Sequence, residues 1–424
     1  MAKAQGAVPI PSWPRVDDRR LQRSMPPALP VSKVLDDDNL LIEILVRLPP
    51  KPSSLPRASA VSKRWGSILS DPVFHKRFRK HHQKPPLLGF FNGCANCFTP
   101  IMGSPNRIPA ARFSLPKSAI PYNDYGVFRG CRHGLAVLID GRVPETVVWD
   151  PLTSEQHIVA FPQGLDDALP GHLCTWHGAV LCADADDGHV HGDCFSSPFK
   201  LVLVCCGGHN THAFCSVHDS ASRVWGDVFS TVITNRSSVL IRPNILVGNA
   251  LCWLISQGGI FVLDFKTQSL DVIEKPVDCR GPDGYFQLLR MEDGGLGLAV
   301  LLNLTIQLWE RKSNCNGIVE WVLLRKTIPL EGMFPRKLDF AFFIGYDEDT
   351  NVIVLSTIIG QFMLQLDLMQ SKHIVITNNS ISYGTFYPYS NFYTAGIEIP
   401  TIESRASNIP MTKRITYVVM RFDR

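Results

Sequence analysis

Apolar positions change rhythm along this chain. Between Leu35 and His82 they recur with a helical period, and beyond His82 they gather into short runs broken by turn residues. In the first region Leu41, Ile44, Leu45 and Leu48 fall at i, i+3, i+4 and i+7, one stripe on a helix. Asp36, Asp37 and Asp38 stand just before it, where carboxylates satisfy free N–H groups and meet the positive end of the helix dipole. Pro49, Pro50 and Pro52 stop that helix. A second short helix is expected from about Ser53 to Val61, with Pro56 in its first turn. A third starts near Ser62, presents Trp65, Ile68 and Leu69, and ends at Asp71-Pro72. Three short helices in about 40 residues bury little surface by themselves. Two readings follow: an apolar face kept open for a partner, or a helical cap packed on the rest of the chain.

Beyond His82 the Val, Ile, Leu and Phe runs alternate with Gly, Asn, Asp and Pro, the pattern of strands and turns. Strands are expected at Gly134–Ile139, Thr146–Trp149, Leu201–Cys205, Ala250–Ile255, Ile260–Phe265 and Val352–Thr357. A strand, an acidic turn and a second strand recur, with turn residues Asp150, Asp219, Asp264, Glu310 and Asp367 at intervals of 69, 45, 46 and 57. Propeller blades repeat every ~40–50 residues. A second element, 131–139, 175–183 and 247–255, reads as an inner strand introduced by a small-residue turn. The run Arg414–Phe422 is a good strand that would complete the first blade and close the ring. The expected fold is a small all-α module of three helices followed by an all-β domain, a β-propeller of six or seven blades.

The helical region resembles an F-box. The first-helix stripe, the proline turn, a Val-Ser-Lys-Arg-Trp element and an Asp-Pro agree in order and spacing as Leu35, Leu41, Ile44, Leu45, Leu48, Val61, Ser62, Lys63, Arg64, Trp65, Asp71 and Pro72. Asp36 stands where a proline is usual and Ser62 where a cysteine is common; neither removes an apolar anchor. The whole chain resembles plant F-box proteins with an F-box-associated, kelch-like β-propeller. That resemblance divides it into a tail (1–33), an F-box (34–82) and a propeller (83–424). It implies that Leu35, Leu41, Ile44, Leu45, Leu48, Val61 and Trp65 form or support an interface with a Skp-type adaptor, and through it with a cullin and a RING subunit. The propeller would hold a protein target for ubiquitination. The chain would be a non-catalytic receptor with no cofactor.

Charge sharpens this division. Residues 1–85 carry 16 Lys/Arg against 7 Asp/Glu, and the remainder 26 against 31. The cluster Lys76, Arg77, Arg79, Lys80, His81 and His82 could be a nucleic-acid or nuclear signal, and reads more simply as the solvated face of a helix. The proline- and arginine-bearing stretch 1–33 is expected to be disordered. No segment approaches the roughly 20 apolar residues of a membrane span, and no signal-peptide core is evident. Twelve cysteines then read as reduced thiols, in cytoplasm, nucleus or both. No nucleic-acid or membrane partner is expected.

Candidate chemistry is sparse. His172, His177, His189, His191, His209, His212 and His218 crowd into 47 residues with Cys174, Cys182, Cys194, Cys205, Cys206 and Cys215. His189-x-His191 could put two imidazoles on one strand face. No paired CxxC or HExxH spacing accompanies it, so the group reads as scattered ligands and no metal site is expected. No nucleophile–base motif appears. Tyr383, Phe386, Tyr387, Tyr389, Phe392 and Tyr393 stand among Gly, Pro, Ser and Asn, as in a contact loop of rigid rings. They are the expected substrate-binding residues, on a protein target or, in the alternative of a free-standing module, on a carbohydrate or small molecule. The plainer reading packs them between the last blade and the first. Loops 92–124 and 184–198 are also open to recognition.

Overall fold

Asp37 begins the first helix: its Oδ1 accepts from the Asn39 and Leu40 amides at 2.8 and 3.2 Å. The computed structural model describes residues 35–116, 127–140, 143–163, 174–184, 189–192, 194–207, 212–233, 239–240, 242–256, 259–277, 279, 281–313, 316–374 and 384–393. The tail 1–33, Tyr383 and the run 414–422 therefore lie outside the described residues. The chain forms two compact units, divided between Val46 and Arg47.

Helix α1 (Asp38–Val46) is the element described in the first unit. Leu41, Leu45 and Val46 are buried and Leu40 and Ile44 are exposed. The helix ends before Leu48, because the residue ahead of the Pro49-Pro50 pair is pushed out of helical geometry. The expected stripe is thus one turn shorter than the spacing suggested.

The second unit opens with α2 (Ser54–Ser59), α3 (Lys63–Leu69) and α4 (Pro72–His82). Ser62 caps α3 through the Trp65 amide at 3.2 Å. Asp71-Pro72 was expected to end the helical segment and instead starts a further helix. Asp71 accepts from the Val73 amide at 2.8 Å, and Pro72 occupies the first turn, where no N–H is needed. Helix α4 buries Phe74 and Phe78, and Phe78 meets Phe392 edge-on at 6.1 Å. Lys76, Arg77, Lys80 and His81 lie on its exposed face. No helix among the described residues is long and apolar enough to cross a membrane.

Six sheets follow, making a six-bladed β-propeller. Blade I holds β1 (Leu87–Asn92) and β2 (Cys97–Pro100). Blade II holds β3 (Phe128–Arg132), β4 (Leu135–Ile139), β5 (Glu145–Trp149) and β6 (Gln156–Ala160). Blade III holds β7 (Cys174–Cys182), β8 (Phe199–Gly207), β9 (His212–Asp219), β10 (Val224–Trp225) and β11 (Phe229–Val232). Blade IV runs through β12 (Ile245–Val247), β13 (Ala250–Leu254), β14 (Gly259–Asp264) and β15 (Ser269–Glu274). Blade V comprises β16 (Phe286–Arg290), β17 (Leu296–Leu302), β18 (Thr305–Ser313) and β19 (Val319–Pro329). Blade VI comprises β20 (Ala341–Asp347), β21 (Val352–Thr357), β22 (Gly360–Gln365) and β23 (Gln370–Ile374). The last described strand, β24 (Phe386–Ser390), pairs antiparallel with β1 and becomes the inner strand of blade I. Among the described residues the strand that joins blade I to the end of the ring is Phe386–Ser390; the expected closing run 414–422 lies outside them.

Each blade exposes two apolar faces when alone, and stacking buries both. Core clusters lie between I and II, II and III, III and IV, through IV to VI, and between VI and I. Bonds across blades add direction. Trp225 Nε1 donates to the Ala160 carbonyl and Trp321 Nε1 to the Glu274 carbonyl, both at 2.8 Å. A Cβ at Gly345 would collide with the Phe386 carbonyl, so this glycine lets β20 approach the closing strand.

Two parts of the repeat reading change. Asp150, Asp219 and Asp264 do sit at the turn between third and fourth strands, each accepting from the amide two residues on. Four residues after each stands a non-glycine with positive φ: Ser154, Arg223 and Gln268. Glu310, however, lies inside β18 and meets Lys312 at 2.8 Å, because this hairpin is longer and its turn comes later. In blade VI the equivalent position is Gln365, with Met369 at positive φ and Asp367 within the turn. The elements 131–139 and 247–255 enter the second strand of their blades, β4 and β13, rather than an inner one. His177-Gly178 forms no turn and lies within β7.

Candidate functional site

Two surfaces are candidates. The first is apolar and helical. Of the expected adaptor contacts, Ile44 and Val61 are exposed, Leu35, Leu48 and Trp65 are partly buried, and Leu41 and Leu45 are buried. Leu40, which the stripe argument missed, is as exposed as Ile44 at 42% and stands one helical turn before it. The signal was present in the 3.6 period, which puts i and i+4 on one face. Leu41 and Leu45 are buried, and Leu40 and Ile44 are the apolar side chains that α1 exposes.

The second surface is the mouth of the propeller, where inner strands finish around a cavity of about 300 Å³. Its wall is ionic. Arg132, the last residue of β3, pairs through Nη1 with Glu348, and its Nη2 donates to the Asn244 carbonyl and Oδ1 at 3.1 and 3.2 Å. Glu348 Oε2 accepts from the Leu246 amide at 3.0 Å. Arg290 Nη2 donates to the Glu348 carbonyl at 3.2 Å and lies 3.6 Å from Asp349. Residues from blades II, IV, V and VI are thus tied across the channel. Burial lowers the Arg132 guanidinium to about 10, which leaves it charged at neutral pH. Nothing in composition indicated this network, because its members come from four blades and its ends, Arg132 and Glu348, are over two hundred residues apart in sequence.

Beside it, burial pushes the Asp347 carboxyl up from 3.8 to about 6. The folded chain then holds this proton more tightly than the unfolded one. The stabilisation is full below about pH 4 and is lost as pH rises to about 6. Asp347→Asn is therefore expected to stabilise the protein relative to wild type at pH 7 by roughly 1–3 kcal/mol, with the gap closing near pH 4. Urea titrations at both pH values check it; a pH-independent difference would refute the assignment.

The aromatic group behaves differently from the substrate-contact expectation. Phe386, Tyr387, Tyr389 and Phe392 are buried. Phe386 packs on Phe90 at 6.0 Å, Tyr387 on Phe128 at 5.3 Å, and Tyr389 on Phe91 and Phe113 at 5.4 Å each. Tyr393 is partly buried, 6.4 Å from Phe113. These rings close the propeller because β24 must bury both its faces between blades VI and II. The observation that motivated a carbohydrate-binding reading is thereby removed.

The histidine–cysteine stretch divides. Cys205, Cys206, Cys215 and His177 are buried in blade III, and His218 lies 5.2 Å from Trp225. His172 and His209 fall outside the described residues, as does the Cys174 side chain. Cys182, His189, His191 and Cys194 come together beside the mouth, with their ligand atoms within 4.8 Å of one another. The sequence reading had set these four among the scattered ligands.

Residues 128–358 match the family described as "F-box protein AT5G49610-like, beta-propeller", and residues 37–77 match the F-box domain. Similar curated proteins from Arabidopsis thaliana include F-box protein At5g03970, 25% identical over 71% of each chain. F-box protein At5g07610 is 47% identical over 14% of this chain and 13% of its own. Among solved structures the Dos1 propeller aligns with 60% of this chain and 61% of that one, at 10% identity and a TM-score of 0.32.

Proposed function

Because this chain belongs to the F-box proteins that carry an AT5G49610-like β-propeller, we propose that it is the target-recognition subunit of a Skp–cullin–F-box ubiquitin ligase. An F-box implies binding to a Skp-type adaptor. The single observation supporting an adaptor face here is the exposed pair Leu40 and Ile44, one turn apart on α1. Apolar side chains of this size lose about 1.5–3 kcal/mol of burial while left in water. A partner surface recovers that energy. Through the adaptor the chain would join a cullin and a RING subunit, in cytoplasm or nucleus.

On this reading the propeller carries a protein target, and its charged mouth favours a segment bearing complementary charge. Holding a target beside a conjugating enzyme raises the effective concentration of its lysines. No catalytic group of the chain's own is required. Purified full-length chain is expected to form a one-to-one complex with a Skp-type adaptor on size-exclusion chromatography, and the complex to recruit a cullin. A well-folded chain that elutes separately from the adaptor would sink the proposal.

A further inference from the structure

The tetrad Cys182, His189, His191 and Cys194 reads as C-x6-H-x-H-x2-C and is brought together by the connection from β7 to β8. His189 Nε2 lies 3.3 Å from Cys182 Sγ and 3.5 Å from Cys194 Sγ. His191 Nδ1 lies 3.6 Å from Cys194 Sγ. A tetrahedral zinc with Zn–S of about 2.3 Å and Zn–N of about 2.0–2.1 Å has S···N edges of about 3.5 Å. The three sulfur–nitrogen separations above match such edges.

Further side chains orient the four. Asp184 Oδ2 lies 3.2 Å from His189 Nδ1 and accepts from Ser197 Oγ at 2.8 Å. A carboxylate on Nδ1 fixes the tautomer that leaves Nε2 unprotonated, and Nε2 is the atom facing both sulfurs. His191 stacks on His133 with centroids 3.5 Å apart, and His133 Nδ1 accepts from the Cys182 amide at 3.0 Å. Both thiols are outside disulfides.

We propose that Cys182, His189, His191 and Cys194 bind one zinc ion as a closed structural site. Two thiolates with two imidazoles suit zinc over hard cations. Four protein ligands leave no open position, so the ion fastens the β7–β8 connection at the rim of the mouth and does no chemistry. His133 and His191 both line that mouth, so the metal would set the shape of one of its walls.

Full-length chain, purified under reducing conditions without a histidine tag, is expected to contain one zinc per chain by plasma mass spectrometry. Chelated protein refilled with cobalt should show the thiolate-to-cobalt charge-transfer band and the visible bands of tetrahedral cobalt. Cys182→Ser and Cys194→Ser should lose the metal, while Cys97→Ser, on another blade, keeps it. Asp184→Asn should still bind, with affinity lowered about 10- to 100-fold. Should a cysteine variant fail to fold, the wild-type cobalt spectrum and the Asp184→Asn titration carry the test. A folded wild-type chain with no zinc and no cobalt bands would overturn the proposal, as would metal retained by both serine variants.

Discussion

Replacing Leu40 and Ile44 together with aspartate is expected to weaken capture of a Skp-type adaptor by about a hundredfold or more, while the far-ultraviolet circular dichroism of the chain stays unchanged. Each side chain is worth about 1.5–3 kcal/mol when fully buried, and each 1.4 kcal/mol is about a tenfold change in affinity. Both residues are exposed, so charge there costs the free chain little. Leu41 and Leu45 are the wrong probes: they are 0% and 1% exposed, and aspartate at either would unfold α1. Isothermal titration against purified adaptor measures the effect. Unchanged affinity in the double variant would move the interface off this face.

Phe91→Ala is the second large effect, and it concerns ring closure. Phe91 is fully buried where the first and last strands meet. Its ring stacks on Phe128 at 4.6 Å and meets Phe98 at 5.1 Å, Tyr389 at 5.4 Å and Trp149 at 5.7 Å. Those partners belong to β3, β2, β24 and β5, so one side chain joins both ends of the ring to the next blade. Truncating it removes transfer energy and leaves a cavity among rigid rings, about 3–5 kcal/mol in cores of this kind. Urea unfolding should show that loss. Tyr393→Ala, at the partly buried edge of the cluster, should cost much less. A Phe91→Ala cost under about 1 kcal/mol would show that closure does not run through this cluster.

The two effects differ in how readable they were. The helical stripe followed from spacing and included the exposed Ile44, but it passed over the equally exposed Leu40, and two of its members, Leu41 and Leu45, are buried. Ring closure was anticipated in kind; the strand at 386–390 was not foreseen as pairing with β1, and the expected run 414–422 lies outside the described residues. The segment 414–422 and the strand at 386–390 both carry apolar alternation, and pairing with β1 depends on where blade VI delivers the chain. The buried tyrosines were ambiguous for a related reason. An amphipathic ring suits a contact surface and a crowded core equally, and only the neighbours decide.

What the sequence by itself determined is whatever rests on local period and turn chemistry. The helical start, the proline stop, the acidic turns at Asp150, Asp219 and Asp264, and the all-β character of the remainder belong here. Tertiary structure alone decided what depends on residues distant in the chain. Blade number, the closing strand and the Arg132–Glu348 tie across the mouth are of that kind. The physical reason is the propeller itself. Its strand ladders run within blades and, β1–β24 apart, between near neighbours in sequence, while packing, ionic contacts and side-chain bonds such as Trp225–Ala160 run between blades and leave no periodic mark on the chain.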